Sequence, residues 1–158
     1  MKLKYLFLLL AVLFIACNSC KKDAAVDPQK QLAADEVLIK DFLAKNSITA
    51  SRHESGVYYQ IIAAGDGHLI YSANTTVSAK YTGRLLNGTV FDQSTNTPIN
   101  FKLGEVIQGW QIGIPLIQKG GKIRLFIPSG YGYGPNGSGP IPANAVLDFD
   151  IELVDATN

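Results

Sequence analysis

The chain has 158 residues, with 14 basic and 13 acidic side chains and a formal net charge of +1. That length fits one domain with an N-terminal extension and is enough to bury a core. The even charge balance offers no basic stripe for nucleic acid, and two cysteines near the N-terminus leave the rest of the chain without disulfides.

Lys2 and Lys4 precede an apolar stretch from Tyr5 to Ala16, which ends Phe14-Ile15-Ala16-Cys17. A basic n-region, a short apolar h-region and a small residue before the cut mark residues 1–16 as a secretory signal peptide. The stretch is shorter than the roughly 20 residues a membrane-spanning helix needs. Its ending resembles the bacterial lipobox, whose cysteine is lipidated and becomes the mature N-terminus. That resemblance implies lipidation at Cys17, with Cys20 after the small Ser19 as the competing acceptor. It implies a lipid anchor in the cell envelope of a Gram-negative bacterium. Asn18, where an aspartate would signal inner-membrane retention, favours the outer membrane, facing the periplasm or the exterior. Cys17-Asn18-Ser19-Cys20 also fits a CxxC pattern, but it closes an export signal and has no second ligand pair. No metal site and no cofactor is expected.

Residues 17–30 are polar, contain Pro28 and read as a flexible tether. Residues 31–47 then turn helical, with Leu32, Leu38, Ile39, Phe42 and Leu43 expected on one face at about 100° per residue. That stripe serves either to pack the helix on its own domain or to form a homodimer. From residue 56 to 155 the period is that of strands. Val57 to Ala63 is rich in β-formers, and Gly65-Asp66-Gly67 reads as a turn. Val77, Ala79 and Tyr81 alternate with Ser78 and Lys80, and Asn87-Gly88 predicts a two-residue hairpin with positive φ at both positions. A short helix is predicted from Gln108 to Ile114, ended by Pro115. Trp110 near its start faces the sheet, as a pocket floor or as ordinary core. Ile123, Leu125 and Ile127, and later Leu147, Phe149, Ile151 and Leu153, again alternate with polar neighbours. The fold class is therefore α+β: a twisted antiparallel sheet, one short helix against it, and an additional N-terminal helix.

Between Val77 and Leu153 the segments VSAKYTGRLLNGTVFDQS, FKLGEVIQGWQIG, IPSGYGYG and IPANAVLDFDIEL contain no histidine and no cysteine. One carboxylate, Asp92, sits beside the aromatic positions of the first two. Such a set suits an apolar substrate and a reaction needing neither nucleophile nor metal. His53 and His68 lie outside this run and read as surface or turn residues, and the glycine-rich Gly130 to Gly139 lacks the Gly-Lys-Ser/Thr ending of a phosphate loop.

In this order and spacing the motifs resemble the FK506-binding-protein (FKBP) type of peptidyl-prolyl cis-trans isomerase, over Val57 to Leu153. The resemblance implies a five- to six-stranded antiparallel half-barrel wrapped around the short helix. It implies twisting of X-Pro bonds in an apolar pocket, proline-containing polypeptides of the cell envelope as substrates, and inhibition by FK506-like macrolides. Carried over residue by residue, it makes Tyr81, Phe91, Asp92, Trp110, Tyr133 and Phe149 the catalytic set. Phe101, Val106, Ile107 and Ile141 become substrate-binding positions, with the Ile107 N–H receiving a substrate carbonyl and the Tyr133 hydroxyl reaching the ligand. There are departures: Gln93 replaces a frequent serine, Thr97 stands where some members place an arginine that pairs with the aspartate, and the Gly134 to Pro140 loop is short. A binding or chaperone module without turnover, and a membrane-anchored assembly partner, remain as alternative readings.

Overall fold

The computed structural model describes residues 27–94 and 96–158. The signal peptide, Cys17, Cys20 and the tether up to residue 26 lie outside the described residues. Helix α1 spans Pro28–Lys45, so the last three residues expected in the tether are helical. Local chemistry explains the early start. Asp27 accepts a hydrogen bond from the Gln29 N–H at 3.0 Å, and Pro28 occupies a first-turn position where its missing N–H costs nothing. The buried face carries Asp35, Ile39 and Leu43. Leu38, expected on that stripe, is 50% exposed, because six residues of rotation from Leu32 leave it roughly 120° off the face.

Among the described residues seven strands form one antiparallel sheet: β1 Ser51–Arg52, β2 Tyr58–Ala63, β3 Thr76–Leu85, β4 Val90–Gln93, β5 Ile99–Lys102, β6 Lys122–Ile127 and β7 Leu147–Thr157. Their order is β1-β2-β6-β7-β3-β4, with β5 also paired to β3. The count exceeds the five or six expected for two reasons. β1 is a two-residue pairing, and the free edge of β3 is shared, β5 against residues 76–79 and β4 against residues 82–84. The Asn87-Gly88 turn also differs from expectation. Only Gly88 has positive φ, at 89°; its N–H bonds to Leu85 O, and the Leu85 N–H bonds to Thr89 O. This is a three-residue connection with a left-handed glycine, and the β3–β4 register shifts beside it.

The concave face of the sheet holds the main core. Ile123, Leu125 and Ile127 from β6 join Leu147, Phe149, Ile151 and Leu153 from β7, all buried. Helix α2, Gln108–Gly113, lies against them, followed by a 3-10 turn, Ile114–Leu116, that contains Pro115. Gly109 and Gly113, one turn apart, let its backbone rest on β6; a Cβ at Gly113 would stand 2.5 Å from a Leu125 methyl. On the opposite face, α1 covers part of the sheet. Ile39 and Leu43 pack with Tyr58, Phe126 and Val146, which is why Phe126 is buried although it alternates with the inward residues.

Candidate active site

β3, β4 and α2 bring the aromatic residues together. Tyr81 is fixed through its backbone, donating its N–H to Ser94 Oγ at 2.8 Å and accepting from the Ser94 N–H at 3.0 Å. Two positions along, Gly83 sits opposite Phe149 in the β3–β7 register. A Cβ there would lie 2.6 Å from Phe149 and 2.7 Å from Phe91, so the bare backbone makes room for both rings. Phe91 and Phe149 meet edge to face at 5.4 Å. Trp110, 4% exposed, meets Phe149 at 5.3 Å and Tyr81 at 5.1 Å in the same geometry, with Phe101 tilted against it at 5.3 Å. Edge-to-face contacts place the positive ring edge on the negative ring face, so these three neighbours hold the indole in one orientation.

These rings bound a cleft of about 350 Å³. Tyr81, Asp92, Phe101, Trp110, Tyr133 and Phe149 line it, with Val106 and Ile107 at its edge. Two sequence-assigned positions do not. Phe91 stands behind Phe149 as its support, and Ile141, 6% exposed, belongs to the core. Ile99 and Glu105 also line the cleft and were not assigned from the sequence. Ile99 was readable, because it precedes Phe101 by two on one strand and shares its face. Gln111 was missed as well; its Nε2 donates to the Val106 carbonyl at 2.7 Å and ties α2 to the cleft edge. Ile107 is the cap of α2, its carbonyl accepting from the Trp110 N–H at 2.9 Å. Among the described residues nothing accepts from the Ile107 N–H.

One polar contact crosses the cleft wall. The Tyr81 hydroxyl donates to Asp92 Oδ2 at 2.7 Å, and among the described residues Asp92 has no ion pair, consistent with Thr97 in place of arginine. Burial first, and then the Asp92 carboxylate, push the Tyr81 hydroxyl well above the usual tyrosine range. Burial and the same negative charge raise Tyr133. Both therefore remain neutral hydrogen-bonding groups at physiological pH.

Fold and cleft together define a class: an antiparallel half-barrel that closes an aromatic pocket over a short helix. Comparison with known proteins narrows it. The family model described as FKBP-type peptidyl-prolyl cis-trans isomerase matches residues 70–154. The FkpA isomerase of Buchnera aphidicola subsp. Schizaphis graminum is 40% identical over 143 residues, covering 89% of this chain and 56% of that protein. The FkpA of Escherichia coli is 39% identical over 137 residues, 85% of this chain and 48% of its own length. Its crystal structure aligns at a TM-score of 0.70 and 37% identity, covering 82% of this chain and 62% of that one. A peptidyl-prolyl cis-trans isomerase from Pseudomonas syringae pv. tomato aligns at 0.68 and 32% identity, covering 84% and 97%. The chain belongs to the FKBP-type peptidyl-prolyl cis-trans isomerase family. It spans about half the length of the curated relatives it matches. Helix α1, β1 and β2 precede the residues matched by the family model.

Proposed function

We propose that the cleft binds proline within polypeptide chains and accelerates cis–trans isomerisation of the X-Pro bond without covalent or proton-transfer chemistry. The observation that carries this reading is the aromatic box around Trp110, in which the Tyr81 hydroxyl donates to Asp92 and the buried Trp110 Nε1–H has no partner among the described residues. Rotation about the amide breaks its resonance, across a barrier of roughly 20 kcal/mol. The planar amide is more charge-separated than the twisted one, so an apolar surround favours the twisted state. The unpartnered Ile107 N–H suits a substrate carbonyl, and Tyr133 at the mouth suits the chain beyond the proline. Each 1.4 kcal/mol gained only in the twisted state is about tenfold in rate.

An isomerisation assay on a short X-Pro peptide, with and without an FK506-like macrolide, tests this. The expected result is macrolide-sensitive acceleration of a reaction that otherwise takes tens to hundreds of seconds. The rate stays flat from about pH 6 to about 9, because neither cleft tyrosine ionises near the ordinary value of about 10. A steep profile tracking a carboxylate overturns the proton-free mechanism. Macrolide binding without acceleration moves the reading to a binding module. The raised Tyr81 also links pH to stability. Its folded form holds the proton longer than the unfolded chain does, so its contribution is complete below about pH 10 and declines as pH rises beyond it.

We also propose that the domain acts on exported proteins from a lipid anchor at Cys17. Support comes from the basic n-region, the apolar stretch and the Phe14-Ile15-Ala16-Cys17 ending. Acyl chains contribute about 0.8 kcal/mol per buried methylene, and several together anchor stably. A tether from the envelope would let the cleft reach chains whose slow folding step is proline isomerisation. Mass spectrometry of the mature N-terminus is expected to show a diacylated Cys17. An unmodified N-terminus elsewhere removes the anchor, and a lipidated Cys20 moves it by three residues.

A further inference from the structure

Asp35 is fully buried on the sheet-facing side of α1, seven residues into the helix. A carboxylate taken out of water is costly unless its oxygens are satisfied. Here they are. Oδ2 accepts from the Ser129 N–H at 2.8 Å and from the Ser129 hydroxyl at 2.6 Å, and Oδ1 accepts from Gln31 Nε2 at 2.8 Å. Two of the three bonds therefore go to a segment 94 residues away in sequence.

That segment leads into the cleft. Ser129 opens the 3-10 turn Ser129–Tyr131, Tyr131 packs on the main core, and Tyr133 two residues on lines the cleft. The seam between α1 and this loop is otherwise loosely filled. A cavity of about 350 Å³ lies along it, bounded by Pro28, Leu32, Tyr131 and Pro135. Among the described residues the hydrogen bonds between α1 and this loop are the two that Asp35 accepts from Ser129, so the carboxylate is the directional link between them.

We propose that Asp35 is a positioning residue for the cleft: through Ser129 it sets the 129–133 segment and hence the Tyr133 hydroxyl, making α1 part of the site. The helix precedes the family-matched residues, and this role rests on reading the cleft as a proline-binding site. Asp35 does not touch the substrate. Its effect is on the group that does.

Two readouts separate this role from plain stabilisation. One is hydrogen exchange of the 129–136 amides, which does not depend on catalysis. The other is binding of the tetrapeptide Ala-Leu-Pro-Phe followed by the fluorescence of Trp110, the single tryptophan of the chain, on the cleft wall. In Asp35→Ala, exchange at residues 129–133 is expected to rise about tenfold more than in β6 and β7, and the peptide Kd about five- to tenfold. Asp35→Asn keeps an acceptor oxygen for Ser129 and should restore both to within about twofold. Tyr133→Phe should weaken binding in the wild-type background but add little to Asp35→Ala, since two changes acting through one contact are not additive. Should Asp35→Ala fail to fold, Ser129→Ala removes the hydroxyl donor alone and should move both readouts the same way by less. Uniform exchange across the domain, unchanged peptide affinity, or full additivity with Tyr133→Phe overturns the proposal. Wild-type protein that neither binds nor turns over the peptide would instead overturn the function proposed for the cleft, and the loop exchange would still decide whether Asp35 holds Ser129.

Discussion

Phe149→Ala is expected to cost about 3–5 kcal/mol of stability and to lower proline-peptide turnover by roughly two orders of magnitude. Phe149 is 3% exposed and touches three other rings: Phe91 at 5.4 Å, Trp110 at 5.3 Å and Tyr81 at 6.3 Å. Truncation opens a void in the middle of this cluster, and the neighbours sit on β3, β4 and α2, whose packed backbones cannot close over it. The cleft then loses a wall while Trp110 loses one of the edges that orient it. Phe149→Leu separates the two losses. It keeps most of the volume, so stability should fall by only about 1.5 kcal/mol or less, while the edge-to-face contacts are gone. Denaturant unfolding gives the first quantity and the peptide assay the second. Undiminished turnover in folded Phe149→Ala would place the chemistry elsewhere on the molecule.

The same ring shows why the sequence was readable at this point. Leu147, Phe149, Ile151 and Leu153 alternate with Asp148, Asp150 and Glu152, and the four inward residues are buried while Asp150 and Glu152 stay partly exposed; Asp148 departs from the pattern, buried with its oxygens on Arg124. The order of motifs then assigned Phe149 and Trp110 to one pocket, although they lie 39 residues apart. What alternation does not carry is whether an apolar residue forms a wall or supports one. Phe91 and Ile141 were both assigned to the pocket; one backs Phe149 and the other sits in the core, a distinction that depends on the twist of the sheet.

Elsewhere the misreadings have specific causes. The apolar stripe of α1 hid Asp35, because a period built on hydrophobic residues passes over a polar one that is buried by pairing. Its partner Ser129 is 94 residues distant, and no local pattern links them. Asn87-Gly88 fits more than one hairpin geometry. The selected one has Asn87 at negative φ, its side chain accepting from the Thr89 N–H at 3.0 Å, which stabilises the longer connection.

Asp148→Ala is expected to destabilise the protein by about 2–3 kcal/mol while leaving peptide turnover in the folded fraction within about twofold of wild type. Asp148 is 2% exposed and receives Arg124 in a bidentate pair, Nε to Oδ1 at 2.9 Å and a terminal nitrogen to Oδ2 at 2.8 Å. Arg124 also lies over the Phe126 ring at 5.1 Å, on the face of the sheet covered by α1 rather than by α2. Removing the carboxylate leaves the guanidinium with Asp150, 3.8 Å away and already bonded to Arg84 at 2.6 Å. A fully buried pair broken this way loses about 3–5 kcal/mol, but the Arg124 side chain is 24% exposed, and water screens part of the stranded charge. The double variant Arg124→Met with Asp148→Leu should recover most of the loss, since apolar side chains of similar size avoid the desolvation that the ion pair has to offset. Thermal unfolding of the four proteins measures the coupling, and the peptide assay shows whether the cleft is disturbed. A large drop in turnover for folded Asp148→Ala would mean that the two faces of the sheet are mechanically coupled. Unchanged turnover would leave the pair as support for the outer face, with the aromatic cleft standing on the inner one.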